Sequence, residues 1–62
     1  MTIGQQIKAA RTSKKWTQEA LARKMEYSTT YVSNVERGEY LPSHRALVAF
    51  SRALNVRFIR EA

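Results

Sequence analysis

Two short amphipathic blocks in the middle of the chain, residues 17–25 and 28–37, are separated only by Glu26 and Tyr27. A connection this tight cannot fold two helices back antiparallel, so it forces them to cross at a steep angle. Each block carries its own start signal. Thr17 is an N-cap residue with Glu19 in the first turn, where the helix dipole favours an acid, and Leu21, Ala22 and Met25 follow at helical spacing. Ser28 caps the next block, which turns Val32 and Val35 inward with Tyr31 beside them, and Gly38 supplies a left-handed stop. Trp16, just ahead of its cap, is predicted to staple onto Leu21.

The flanking segments read the same way. Thr2 caps a block to Ser13 with Ile3, Ile7 and Ala10 on one stripe, beside Lys8, Arg11 and Lys14. After the loop Glu39-Tyr40-Leu41-Pro42, Ser43 caps a fourth block to about Leu54. Leu47, Val48, Phe50, Ser51 and Leu54 are expected on its inner side, and Asn55 is the expected stop. Residues 56–62 could add one or two turns, with Phe58 and Ile59 packing back. No segment alternates like a strand. The expectation is one all-α domain over residues 1–62, a bundle of four or five helices. At 62 residues it buries only ~60% of its unfolded surface and is marginally stable. With no cysteine, neither disulfides nor thiolate metal sites supplement the core.

Eleven Lys and Arg against five acidic residues give a net charge of +6, a field that attracts polyanions. The arrangement says more than the total. With Val32 and Val35 inside, Thr30, Ser33, Asn34 and Arg37 form one outward stripe, with Thr29 alongside. A helix entering the DNA major groove needs short hydrogen-bonding side chains there, because long ones hold its backbone away from the bases. A merely solvated face is richer in Glu, Lys and Gln, and Thr and Ser lower helix propensity. Residues 28–36 contain no Lys or Arg, yet Arg11, Lys14, Lys15, Arg23, Lys24 and Arg37 surround them. Phosphates are contacted around a recognition element and base edges by its centre. Gln18 can offer its amide and a helix N-terminus to a phosphate.

The stretch Thr17-Gln18-Glu19-Ala20-Leu21-Ala22, followed by Tyr31-Val32-Ser33-Asn34-Val35-Glu36-Arg37-Gly38, resembles the Cro/phage-repressor (XRE) helix-turn-helix family. The similarity continues through Pro42-Ser43 and Ala53-Leu54-Asn55-Val56 and so covers nearly the whole chain. It implies a lambda-repressor-like bundle whose third helix reads the major groove, with dimers common on DNA. By position, Thr29, Thr30 and Asn34, with Ser33 beside them, match base-reading sites. Gln18, Ser28 and Arg37 match phosphate sites, and Lys14, Lys15 and Tyr31 are added as phosphate candidates. Arg11 and Glu36 match a family ion pair between the first and third helices. Two departures stand out. Glu26 occupies the turn position where the family has glycine, so a left-handed backbone there costs ~1–2 kcal/mol or the turn rearranges. Tyr27 replaces a smaller aliphatic residue, so its ring must either pack over the turn or reach toward the DNA backbone.

The expected function is therefore a sequence-specific double-stranded DNA-binding regulator, a repressor by preference, bacterial or phage-encoded and cytoplasmic at the nucleoid. A homodimer on half-sites ~34 Å apart would use Phe58, Ile59, Tyr40, Leu41 and the outer fourth helix, unless Phe58 and Ile59 close the core instead. The Thr/Asn face predicts A·T-containing positions at the centre of each half-site. A second reading is an antitoxin-like or coactivator-like module that holds a protein partner. A third is a fragment lacking a C-terminal regulatory domain. Enzymatic chemistry ranks last: His44 is the only histidine, there is no aspartate, and no Gly-rich loop occurs. No metal or cofactor is expected. Neither a membrane span nor a signal pattern is present, and Arg52, Arg57 and Arg60 make only a weak amphipathic surface.

Overall fold

Four helices are present among residues 1–58, the part of the chain that the computed structural model describes: α1 (Ile3–Ser13), α2 (Gln18–Met25), α3 (Thr29–Glu36) and α4 (His44–Leu54). Each begins at a hydroxyl. The side-chain oxygens of Thr2, Thr17, Ser28 and Ser43 accept the amide N–H of Gln5, Ala20, Tyr31 and Ala46 respectively. Each cap contributes ~1 kcal/mol. At α1 the exchange is reciprocal, since Gln5 Oε1 accepts the Thr2 N–H at 3.0 Å.

The helix ends are equally regular. Each is followed by a residue with positive φ, namely Lys15, Glu26, Gly38 and Asn55, and only one of these is glycine. After α1, the Trp16 N–H reaches the Arg11 carbonyl and the Lys15 N–H reaches that of Thr12. The same pairing links Tyr27 to Ala22 and Glu26 to Arg23, then Glu39 to Asn34 and Gly38 to Val35. This is the Schellman pattern, which satisfies carbonyls that a helix end leaves open. Glu26 sits at φ 61°, ψ 37°, so the turn keeps its left-handed geometry without glycine. It is not rearranged, and the steric cost stays in the folded state.

The core draws on all four helices: Ile7 from α1, Leu21, Ala22 and Met25 from α2, Val32 and Val35 from α3, and Ala46, Phe50 and Leu54 from α4. Trp16, Tyr27, Tyr31 and Phe58 pack against its margin. Phe58 thus closes the core, and Ile59 lies outside the described residues. The expected inner face of α4 needs correction. Ala46, Phe50 and Leu54, at a spacing of four, are buried with Ala49 and Ala53 against the core, while Leu47, Val48 and Ser51 are half-buried. Small alanines let α4 approach its neighbours closely, so the apolar bulk on its flank is left partly outside. No helical turn follows Asn55 as far as residue 58.

Gly4 explains how α1 crosses the end of α3. A Cβ on Gly4 would stand 2.3 Å from the Val35 carbonyl oxygen and 2.9 Å from that of Glu36. Both obstacles are backbone atoms, so the helices meet at a distance that only glycine permits.

Candidate nucleic-acid interface

The Gly4 crossing brings α1 alongside the C-terminal end of α3, where Glu36 points inward from the last turn. Arg11 Nε and Nη2 donate to the two oxygens of Glu36 at 2.7 and 3.0 Å, and Nη1 donates to the Trp16 carbonyl at 2.7 Å. Gln18 Nε2 donates to Glu36 Oε1 at 3.0 Å. One buried carboxylate therefore ties α1, the start of α2 and the end of α3 together. Among the described residues, no buried side-chain nitrogen or oxygen lacks a partner. Two desolvated charges are tolerable only when satisfied this fully.

With α2 and α3 locked together, the outer side of α3 is presented as a fixed surface. Thr29 and Thr30 are exposed, Ser33 and Asn34 half-buried, and Arg37 exposed. These are the residues expected to read bases, with Arg37 at their edge, and the structure brings them onto one face beside the tight α2–α3 turn. Ser28 is exposed next to them. Its oxygen accepts the Tyr31 N–H at 3.0 Å, which leaves the hydroxyl hydrogen free to donate outward.

The phosphate candidates divide into two groups. Lys14 and Lys15 are exposed between α1 and α2. The Lys14 ammonium lies 5.4 Å from the centre of the Trp16 ring, with that of Lys24 at 4.8 Å, so Trp16 carries two positive charges as well as packing against the core. In the sequence Lys24 is only part of the basic frame, and its place on the indole follows from the packing of α2 against the α1–α2 turn. The other candidates already have protein partners. Gln18 keeps its carbonyl oxygen and one N–H beyond the bond to Glu36. Tyr31 is half-buried, with its ring 5.2 Å from Tyr27, 6.3 Å from Tyr40 and 6.5 Å from Phe50. Only its phenol could serve a phosphate. The Tyr27 ring packs on Tyr31 and the margin of the core. Arg37 donates through Nη2 to Asn34 Oδ1 and lies 2.8 Å from Glu39 Oε2.

Among the described residues no group of three or more His, Cys, Asp and Glu could hold a metal ion. No helix there is long and apolar enough to cross a membrane.

An all-helical bundle that presents a capped, polar-faced helix after a tight left-handed turn defines a helix-turn-helix protein. The helix-turn-helix family matches residues 7–59, and the chain belongs to it. It is 45% identical over 56 residues to the immunity repressor protein of Bacillus phage phi105, a match covering 90% of this chain and 39% of that protein. The chain thus spans well under half the length of that relative. Among solved structures it resembles the P22 c2 repressor in complex with synthetic operator 9T, with a TM-score of 0.87, 33% identity, and coverage of 92% of this chain and 86% of the other. It also resembles the restriction-modification controller protein C.AhdI from Aeromonas hydrophila, with a TM-score of 0.83, 33% identity and coverage of 87% and 82%.

Proposed function

We propose that the protein is a sequence-specific double-stranded DNA-binding transcriptional regulator, acting as a repressor, that places α3 in the major groove. The observation that carries this is the outward face of Thr29, Thr30, Ser33 and Asn34, free of long side chains and framed by Lys14, Lys15, Ser28, Gln18 and Arg37. Threonine presents a hydroxyl to base edges and a methyl to thymine, and asparagine can pair with adenine. The surrounding groups supply phosphate contacts that set register without reading sequence. The likeness to a phage immunity repressor and to an operator-bound repressor supports the same reading.

One such module covers little DNA, so useful specificity calls for two copies on adjacent half-sites. Leu41, 88% exposed, and Tyr40, 52% exposed, offer apolar surface beside the outer flank of α4 for that pairing. A DNA-bound regulator of this kind works in the bacterial cytoplasm, at the nucleoid or on phage DNA. Selection of random duplexes at two salt concentrations tests the proposal. A defined motif with A·T-containing central positions, enriched at both salts, supports it. Binding that stays sequence-independent and vanishes with salt contradicts it.

A further inference from the structure

Arg37 is at the surface, but it is not a free cation. Its Nη2 is shared between Asn34 Oδ1 and the Glu39 carboxylate. The backbone brings Glu39 there: past left-handed Gly38, the Glu39 N–H donates to the Asn34 carbonyl oxygen at 2.9 Å. A guanidinium has donors and no acceptor, so the Asn34 amide atom that meets it must be the oxygen. The amide is therefore held in one sense, with its oxygen toward Arg37 and its NH2 on the opposite edge.

That sense matters in the major groove. Adenine shows an acceptor, N7, beside a donor, N6–H2, whereas a C·G pair approached from the cytosine shows the N4–H2 donor and then guanine O6. The two patterns are opposite, and an asparagine amide satisfies either one by turning over about its last bond. An amide pinned by Arg37 satisfies one and leaves donor facing donor on the other.

We infer that Arg37 is a positioning residue for base readout: by fixing the sense of the Asn34 amide, it separates adenine from cytosine at the position Asn34 reads. This rests on the reading of α3 as the recognition helix. Glu39 meets the same Nη2 at 2.8 Å, so the guanidinium is kept beside Asn34 in the free protein.

The test compares selected-duplex profiles of the wild type, Asn34→Ala and Arg37→Met, with the folding of each checked by circular dichroism. Asn34→Ala identifies the position by flattening it. At that position the wild type should prefer adenine over cytosine about tenfold, and Arg37→Met should cut the preference at least threefold while other positions keep theirs. If Arg37→Met weakens all sequences evenly and the adenine preference survives, Arg37 is a phosphate contact alone and the inference fails. If Asn34→Ala flattens no position, the recognition-helix assignment of Asn34 falls and takes the inference with it.

Discussion

Arg11 and Glu36, 25 residues apart in the chain, meet as a two-pronged buried pair, and the same carboxylate accepts from Gln18. Their side chains are only 11% and 2% exposed. The pair orients more than it stabilises, because burying two charges costs nearly what their attraction returns. What it fixes is the placement of α3 relative to α1 and the start of α2, and hence the presentation of the polar face.

Removing one partner is accordingly severe. Glu36→Ala leaves the Arg11 guanidinium buried and unpaired and should cost about 3–5 kcal/mol, close to the whole stability of a domain this small. Replacing both, as Arg11→Met with Glu36→Leu, should cost far less. Urea denaturation of the two variants measures the difference; equal losses would show that the charge left behind is not the cause.

Glu26→Gly should stabilise the fold. Glu26 has φ 61°, which glycine adopts without the Cβ conflict that costs other residues ~1–2 kcal/mol. Part of that gain is lost to the greater freedom of glycine in the unfolded chain. A net rise of about 0.5–1 kcal/mol corresponds to several degrees in Tm, readable by thermal melting.

The two glycines should respond differently to alanine. Gly4→Ala drives a methyl into the Val35 and Glu36 carbonyls and should cost about 1–3 kcal/mol as α1 is displaced. Gly38→Ala meets nothing within 4 Å at φ +82°, so its cost is conformational, ~1 kcal/mol. Amide chemical shifts distinguish the two: they should move across the α1–α3 contact in the Gly4 variant and only near the turn in the Gly38 variant.

Lys14→Ala together with Lys15→Ala should reduce the slope of log affinity against log salt by about 2, at ~0.9 for each phosphate no longer neutralised. The preferred sequence should stay the same, because phosphate contacts carry no base information. Binding titrations on one duplex at several salt concentrations give the slope. A changed motif with an unchanged slope would place the lysines on base edges.

Much of this architecture can be read from the chain because its signals are local. Thr2, Thr17, Ser28 and Ser43 act within one turn of themselves, as do the stops at Gly38 and Asn55, so the helix limits follow from neighbouring residues. The stripe from Thr30 to Arg37 is likewise one helix face. The inner face of α4 is harder: side-chain size draws attention to Leu47 and Val48, whereas close approach of helices selects Ala46, Ala49 and Ala53. The Arg11–Glu36 pair follows from family resemblance, since nothing in the spacing of residues 11 and 36 brings them together. Gln18 on the same carboxylate, and Gly4 beneath two carbonyls, depend on how α1 crosses α3 and have no local signature. For Glu26 the residue type shows what the turn costs, and only the fold shows that the turn keeps its geometry. The link from Asn34 to Arg37 spans one helical turn and is legible in principle; Glu39 joins it only because the chain reverses at Gly38.

Amide chemical-shift mapping of the protein titrated with its selected duplex tests most directly whether the outer face of α3 meets the bases. The largest changes should fall on residues 28–37 and on Gln18, with smaller ones around Lys14 and Lys15. Changes confined to α4 and the 39–42 loop, with α3 unmoved, would contradict the assignment.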